Sequence, residues 1–277
     1  MLMVKLWILP VLLFAATAIS CSMVEEDRDD CPCWYTIDLT EVDGRVANLH
    51  LWLFDKHGKL ILNKELQGAP YGKCEVMVKR GSVVCSVWGN VSQKSLLHND
   101  GTINSCYSKA DSCSSDPLFN YVAVVDAGTD AVYDTVRLTK EYAAVDFTLK
   151  GSILEGGPYE LAMRMNTAGR QMNGDFVLGE SSIFSSHSDA SDGEYRFMFN
   201  MMRQKSIEEL EVTLLSLADG GRRVVMEFPF GKWLATSGYD ADAPDMEDIT
   251  MVLDLATGSL YVKTEDWQTL LPVRIEI

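Results

Sequence analysis

The chain has too little positive charge for a nucleic-acid-binding protein. It carries 24 Lys and Arg against 40 Asp and Glu, for a net charge of −16. Proteins that bind nucleic acids neutralise phosphates with clustered Lys and Arg, and no such basic stripe occurs in this sequence. The acid excess also disfavours binding to an anionic membrane surface by charge attraction alone. We therefore expect no nucleic-acid partner.

Catalytic motifs are missing as well. The sequence has no Gly-x-Ser-x-Gly turn, no phosphate-binding Gly-x-x-x-x-Gly-Lys loop and no dinucleotide fingerprint. Residues 240–248 are rich in Asp and could bind calcium, but they lack the spacing and central glycine of an EF-hand, so a solvated loop is the alternative. The histidines are few and scattered: His50, His57, His98 and His187. We predict no catalytic residue, no metal, no cofactor and no enzymatic activity.

One long apolar run is present, at the N-terminus. Lys5 precedes the apolar residues 6–18, and Ala18-Ile19-Ser20 leads into Cys21. This pattern is typical of a bacterial lipoprotein signal peptide over residues 1–20, after which Cys21 carries lipid and begins the mature chain. A transmembrane helix would need about 20 apolar residues, more than the run provides. A plain signal peptide with a chance cysteine is the remaining alternative. Two or three acyl chains, palmitate among them, would hold a folded domain stably at a membrane.

An acidic segment follows the predicted lipid cysteine. Residues 21–30 include Glu25, Glu26, Asp27, Asp29 and Asp30 and contain too few apolar side chains to form a core. Such a composition predicts a flexible tether. The acidic run also resembles the surface-export signal of Bacteroidales-type lipoproteins. A spacer would place the protein at the outer membrane, whereas an export signal would place it on the outer face.

Cysteines are confined to the first part of the chain, with none after residue 113. Besides Cys21 there are six: Cys31, Cys33, Cys74, Cys85, Cys106 and Cys113. An even number of cysteines in an exported chain favours disulfides, and six allow about 15 pairings. Cys31 and Cys33 flank a single residue, so we expect them to have different partners. Free thiols are one alternative. A zinc site is another, although there is no second close pair of cysteines and no histidine at ligand spacing.

Two-residue alternation of apolar and polar side chains dominates the sequence, and helical periodicity is scarce. Residues 35–40 alternate in this way. Residues 49–55 precede a Lys-His-Gly-Lys turn and a second apolar segment, which predicts a hairpin. Residues 89–117 are polar and are predicted to form a long loop. Many short strands with Gly and Asp turns predict an all-β fold with two β-sandwiches in tandem.

Two changes in composition place a domain boundary near residue 150. Residues 151–158 are rich in glycine, and the cysteines end in the same part of the chain. We predict a Cys-rich N-terminal β-sandwich over residues 31–150, with the strand at residues 144–149 as its last, and a C-terminal β-sandwich over residues 151–277. Residues 181–194 are predicted to be an exposed loop.

Several short segments, in this order, resemble the fimbrial anchor lipoproteins of Bacteroidales, the FimB-like anchors of type V pili. The N-terminal segments are Cys21, the acidic run with Arg28, and Asp30-Cys31-Pro32 before an alternating strand. The C-terminal segments are residues 228–234, 238–240, 249–255 and 265–267. The resemblance covers residues 21–277. The five cysteines that follow Cys31 do not belong to the family pattern.

The resemblance implies two transthyretin-like β-sandwich domains and a non-enzymatic role. Members of the family tether a fimbria to the outer membrane at its base and limit its assembly. Their partners are the fimbrial shaft subunits, called fimbrillins, which join by strand exchange, in which one chain adds a strand to a neighbour's sheet. Residues 273–277 alternate like a strand that could be exchanged, or they form an ordinary last strand. An anchor must keep its lipid, so Cys21 should stay joined to the first domain.

Two other functions remain open from the sequence. The chain could be a surface glycan-binding lipoprotein or a tip adhesin, or it could be a secreted hydrolase. The first alternative requires exposed aromatic rings on which sugars stack, whereas we expect the following tryptophans to lie in the core or at sandwich edges: Trp52, Trp88, Trp233 and Trp267.

Overall fold

Strands dominate the computed structural model of the protein, as the alternation of side chains predicts. The structure describes residues 31–110, 113–151, 158–186, 194–264 and 268–272. These residues form one α-helix, α1 (Phe230–Ser237). They also form the following strands: β1 (Pro32–Asp38), β2 (Asn48–Phe54), β3 (Leu60–Gln67), β4 (Lys73–Lys79), β5 (Ser82–Gly89), β6 (Ser95–His98), β7 (Cys106–Lys109), β8 (Phe119–Asp126), β9 (Ala131–Thr135), β10 (Thr139–Lys140), β11 (Tyr142–Lys150), β12 (Tyr159–Gln171), β13 (Phe176–Ser186), β14 (Glu194–Met202), β15 (Glu211–Ser216), β16 (Arg223–Phe228), β17 (Ile249–Asp254), β18 (Ser259–Lys263) and β19 (Gln268–Pro272).

The first half of the chain forms two sheets that enclose one core. Sheet 1 has the order β4-β1-β9, and sheet 2 has the order β10-β8-β5-β2-β3. Alternate side chains of β1 point inward, so Cys33, Tyr35 and Ile37 are fully buried. They pack against Leu49 and Leu51 of sheet 2. This arrangement is the sandwich-like packing that period-two patterning produces when one face of each sheet is apolar.

The second half forms a second core between two larger sheets. Sheet 3 has the order β14-β11-β17-β18-β19, and sheet 4 has the order β16-β15-β12-β7-β6, with β13 also paired to β12. Phe147 and Phe197 come from sheet 3, Met163 and Leu214 come from sheet 4, and all four are fully buried. Helix α1 adds Phe230 and Leu234 to this core. The fold is therefore all-β, as predicted.

A third apolar cluster lies on the other face of sheet 2. Trp52 and Trp88 project from sheet 2 and are fully buried. They pack with Tyr107 of β7 and with Met172, which follows β12. Because both faces of sheet 2 are covered, its central strands are almost wholly apolar. The sheets belong to one compact unit, Pro32–Ile277.

The hairpin predicted after residue 49 is confirmed. β2 pairs antiparallel with β3, and Gly58 in the intervening turn has φ 75°. A residue with a Cβ is strained in this left-handed conformation, which is why the turn contains glycine. The apolar segments on either side of this glycine turn are what made the hairpin predictable from the sequence.

Two predictions of local structure were wrong, and one helix was not predicted. Residues 89–117 are not one loop, because they contain β6 and β7, which pair with each other and extend sheet 4. Residues 181–186 lie in β13, not in a loop; residues 187–193 lie outside the described residues. Helix α1 was not predicted. Its buried residues Phe230, Leu234 and Ser237 follow helical spacing, but the helix is too short for the pattern to stand out.

The strand at residues 144–149 was also assigned to the wrong neighbours. It lies in β11, which pairs antiparallel with β14 and parallel with β17, both from the second half of the chain. Its inward side chains Val145, Phe147 and Leu149 enter the second core. The subdivision of the chain near residue 150 stays a prediction.

Candidate functional site

The predicted tether, residues 21–30, precedes the first described residue, Cys31. The predicted lipid cysteine Cys21 and the acidic residues 25–30 lie outside the described residues. Their roles therefore stay predictions. Strand β1 starts at Pro32 and is the central strand of sheet 1. Any force transmitted through the tether would consequently enter the fold at a strand that is paired on both sides.

Sheet edges are the groups in this fold that can accept a strand from another chain. An edge strand presents unpaired backbone N–H and C=O groups. In sheet 3 the edges are β14 and β19, and in sheet 4 β16 and β6 lie at the ends of the strand order. These edge strands differ in how firmly neighbouring side chains hold them. This difference bears on which edge could pair with a strand from another chain.

Strand β19 is the more weakly held edge of sheet 3. It pairs with β18 from Ser259↔Pro272 to Lys263↔Gln268. Leu271 is partly buried against the core, but Leu270 is 69% exposed. The neighbouring β18, in contrast, buries Leu260 and Val262 completely. Displacing β19 would thus expose little apolar surface, whereas β18 is held by the core. Residues 273–277 lie outside the described residues.

Strand β14 at the opposite edge is fastened by side chains. Arg196 donates from Nε to Asp146 Oδ1 on β11 at 2.7 Å. Ser185 Oγ of β13 donates to the carbonyl of Met198 at 3.1 Å. One backbone carbonyl of this edge therefore already accepts a hydrogen bond from β13. This makes β14 a poorer acceptor of an added strand than β19.

The cysteines are divided between the first core and the surface. Cys33, Cys74 and Cys85 are buried, Cys31 and Cys106 are half-buried, and Cys113 is exposed. All six are free thiols in the structure, so the disulfide prediction gains no support from it. Burial raises the pKa of Cys85 to about 12. It also raises the pKa values of Cys33 and Cys106. Such thiols are poor nucleophiles at neutral pH.

Two of the histidines considered for catalysis or metal binding have hydrogen-bond partners, and His187 lies outside the described residues. His50 Nδ1 lies 3.0 Å from the Tyr107 hydroxyl, and His98 Nε2 lies 2.8 Å from Ser108 Oγ. No group of three His, Cys, Asp or Glu side chains within the described residues is arranged to hold a metal ion. No helix of the described part is long and apolar enough to cross a membrane.

The acidic residues 240–248 hold the chain in place. Asp245 Oδ1 accepts from the Lys140 backbone N–H at 2.6 Å. Asp248 Oδ1 accepts from Lys140 Nζ and from the Ala144 backbone N–H, each at 2.7 Å. Carboxylates engaged in this way tie the loop to β10 and β11. The arrangement gives Asp245 and Asp248 a structural role.

Tryptophan exposure differs from residue to residue. Trp52 and Trp88 are fully buried, and Trp233 packs partly buried against the second core, as predicted. Trp267 lies outside the described residues. Trp34 of β1, which is not among the tryptophans predicted to lie in the core, is 56% exposed. Its position could have been found from the alternation of β1, since Cys33 and Tyr35 on either side of it point inward.

The sheets define an all-β protein with sandwich-like layers. Residues 28–271 match the family described as fimbrillin-A associated anchor proteins Mfa1 and Mfa2. The chain belongs to this family, which confirms the resemblance to fimbrial anchors. The family is one of fimbrial anchor proteins and not an enzyme family.

Solved structures with a similar fold come from Porphyromonas and Bacteroides species. The fimbrial anchor protein Mfa2 from Porphyromonas gingivalis is 14% identical, with a TM-score of 0.65, over 86% of this chain and 99% of that one. A candidate polysaccharide-binding protein from Bacteroides thetaiotaomicron is 13% identical, with a TM-score of 0.64, over 86% and 98%. A candidate adhesin from Bacteroides ovatus is 13% identical, with a TM-score of 0.64, over 87% and 96%. No protein in the curated set matches the sequence.

Proposed function

We propose that this chain is an outer-membrane lipoprotein that anchors the base of a fimbria on the cell surface and limits its assembly. The observation that carries the proposal is the family match over residues 28–271. That match begins within the acidic run, at residue 28, so the lipoprotein signal and the family region account together for nearly the whole chain. The role is structural, with fimbrial shaft subunits as partners.

Lipid on Cys21 is the proposed attachment to the membrane. Acyl chains contribute about 0.8 kcal/mol per buried methylene, so two or three chains hold a domain against detachment. Replacing the cysteine (Cys21→Ala) should move the protein and its fimbriae from the outer membrane fraction into the medium. Cys31→Ala is the matched control, since it removes the next cysteine along the chain and should leave membrane retention unchanged. Continued retention of Cys21→Ala would contradict the proposal.

The acidic run is proposed to direct the lipoprotein to the outer face. Replacing Glu25, Glu26, Asp27, Asp29 and Asp30 with Ala and Asn should leave the protein lipidated but inaccessible to protease added to intact cells. A scrambled order of the same residues tests composition against sequence. If the neutral variant is still cleaved on intact cells, the run is a spacer.

The shaft subunit is proposed to add a strand along β19 or to replace it. Supporting this edge, β19 buries little apolar surface and carries the exposed Leu270. Leu270→Lys should weaken capture of the shaft subunit about tenfold, because a charged lysine on an edge strand disfavours pairing. Val224→Lys on β16 is the matched control: Val224 is also exposed (56%) on the strand that ends sheet 4. Equal binding by both variants and the unmodified chain would exclude β19.

Glycan binding or tip adhesion is the second candidate. The exposed Trp34 supports it, because an indole ring can stack on a sugar. A glycan array probed with the unmodified chain and with Trp34→Ala would show hits that depend on Trp34. An array without hits would exclude this function.

A further inference from the structure

The outer face of sheet 1 carries an aromatic and apolar group of side chains. Trp34 of β1 is the cross-strand partner of Met77 of β4. Tyr133 of β9 lies opposite Thr36, one position further along the same face. The three side chains are 56%, 58% and 54% exposed, respectively. We call this group the Trp34 face.

The Trp34 face differs from the other exposed apolar positions. Met198, Val224 and Leu270 are also more than half exposed, but each lies on a different strand at the end of a sheet's strand order. Val124 of β8 and Leu178 of β13 are 73% and 62% exposed, but neither has an exposed apolar cross-strand partner, since Val124 lies opposite the half-buried Val84 and Leu178 opposite the buried Thr167. Trp34, by contrast, projects from the central strand of its sheet, with apolar neighbours on the two flanking strands. Grouped exposed apolar side chains of this kind usually mark a surface that another body covers.

Charge on the Trp34 face is balanced, although the whole chain has a net charge of −16. Lys73 Nζ lies 5.0 Å from the centre of the Tyr133 ring and 3.4 Å from Asp38 Oδ2. The Tyr133 hydroxyl donates a hydrogen bond to the same carboxylate oxygen. Glu75 and Lys79 lie two positions before and after Met77 on β4 and therefore share its face of the strand. The acid excess that would repel a phosphate-bearing surface is thus absent from this face.

The position of the face in the chain identifies what covers it. β1 is the first described strand after Cys21, and the ten residues 22–31 can span at most about 35 Å. A lipid on Cys21 therefore keeps the Trp34 face close to the membrane. Trp and Tyr rings favour the headgroup level of a bilayer, and lysines beside them can keep their amines in water while their stems lie on apolar surface.

We propose that the Trp34 face is a lipid-contact surface, which rests in the headgroup layer and fixes how the anchored domain stands on the membrane. The inference rests on the proposed lipid anchor at Cys21. Sugar stacking is less favoured, because Lys73 already covers the Tyr133 ring and Met77 offers no ring. Contact would be driven by the aromatic and apolar groups and not by charge.

The test uses the full lipidated protein in vesicles of phosphatidylethanolamine and phosphatidylglycerol, with and without bromine on the acyl chains near the headgroups. Flotation first reports whether the protein is anchored. Bromine should then quench tryptophan fluorescence of the unmodified protein, and Trp34→Phe should lose most of that quenching. Met198→Ser, a change at an exposed methionine on sheet 3, should keep it. Circular dichroism checks that each variant is folded.

The outcomes separate the inference from the proposed anchor. A protein that floats but shows no quenching attributable to Trp34 overturns the lipid-contact surface and leaves the anchor standing. A protein that does not float overturns both. Loss of a glycan-array signal in Trp34→Ala, without Trp34-dependent quenching, would assign the face to sugar. A dimer in sedimentation that Trp34→Lys abolishes, again without quenching, would assign it to a second copy of the chain.

Discussion

Glu141 and Arg203 form a buried ion pair, with Oε2 of Glu141 3.2 Å from Nε of Arg203 and side-chain exposures of 7% and 10%. Arg170 of β12 approaches the same carboxylate oxygen at 3.5 Å. The Arg203 Nη atoms also donate to the carbonyls of Ala241 and Pro244, at 2.9 and 2.8 Å. One carboxylate between β10 and β11 thus balances two arginines, one on β12 and one just after β14.

Neutralising Glu141 should strongly destabilise the fold. Glu141→Gln removes the carboxylate that Arg170 and Arg203 share and leaves Arg170 only the weaker attraction of Asp175. Breaking one partner of a buried pair typically costs about 3–5 kcal/mol. Glu211→Gln is the control, because its pair with Arg164 is more than half exposed on both sides. An exposed pair of this kind contributes less than about 1 kcal/mol. Chemical denaturation measures both. Equal losses of unfolding free energy in the two variants would show that the buried pair stabilises the fold no more than the exposed pair does.

A second prediction concerns the attachment of β7 to β12. Gly169 of β12 faces Ser108 of β7, and a Cβ at Gly169 would lie 2.3 Å from the Tyr107 carbonyl oxygen. Gly169→Ala must therefore push the two backbones apart. We expect a loss of about 1–3 kcal/mol, as for other overpacked sites. Amide exchange at Tyr107 and Ser108 should become faster.

The control for this change lies on the adjacent strand. A Cβ at Gly179 of β13 would meet Ala168 Cβ at 3.4 Å, an ordinary contact. Gly179→Ala should leave the melting temperature unchanged or slightly higher, because alanine reduces the freedom of the unfolded chain. If Gly169→Ala also left the melting temperature unchanged or slightly higher, the backbones of β7 and β12 would not approach each other as closely as in the structure.

The cysteines give a third prediction, which decides between free thiols and the disulfides expected from the sequence. N-ethylmaleimide at pH 7 should label the exposed Cys113 first, and the half-buried Cys31 and Cys106 more slowly. Cys33 and Cys85 should react only after unfolding, since burial raises the pKa of both thiols and blocks access. Peptide mass spectrometry reads the labelled positions. Labelling of Cys113 only after a reducing agent is added would establish a disulfide there.

Local structure was predictable wherever one face of a strand is apolar and a glycine turn follows. The β2–β3 hairpin with Gly58 is the clearest case. Alternation shows that a segment is a strand but not which strand lies beside it, and for this reason β11 was grouped with the wrong half. Pairing between β11 and β17 joins residues about a hundred positions apart, and no local pattern encodes that choice.

The candidate site was predictable only in part. Cys21 and the acidic run are recognisable by composition, because a signal peptide and a tether are local features. That β19 is a weakly held edge strand follows from which strands lie beside it in the fold, and the sequence does not show this. The exposure of Trp34 was implied by the inward Cys33 and Tyr35. That inference, however, also requires knowing that no other sheet covers the outer face of sheet 1.

The last prediction is a pH dependence that originates at His50. Burial lowers the pKa of its imidazole below the ordinary value of 6.5, although the Glu65 carboxylate opposes the shift. The unfolded chain therefore binds a proton at a pH where the native His50 remains neutral, and the free energy of unfolding must fall as the pH is lowered from about 6.5 towards the native pKa. Below the native pKa the decline should level off.

Replacing the side chain (His50→Gln) should remove this step. Chemical denaturation at pH 7.5, 6.5 and 5.5 would then give a flatter profile for the variant than for the unmodified chain. Carboxylates with lowered pKa values, such as Asp43 and Asp100, also reduce the free energy of unfolding when they are protonated on acidification. Their window lies below about pH 4, so the two effects separate on the pH axis. A variant profile that still falls between pH 7.5 and 5.5 as steeply as that of the unmodified chain would place the titrating group elsewhere.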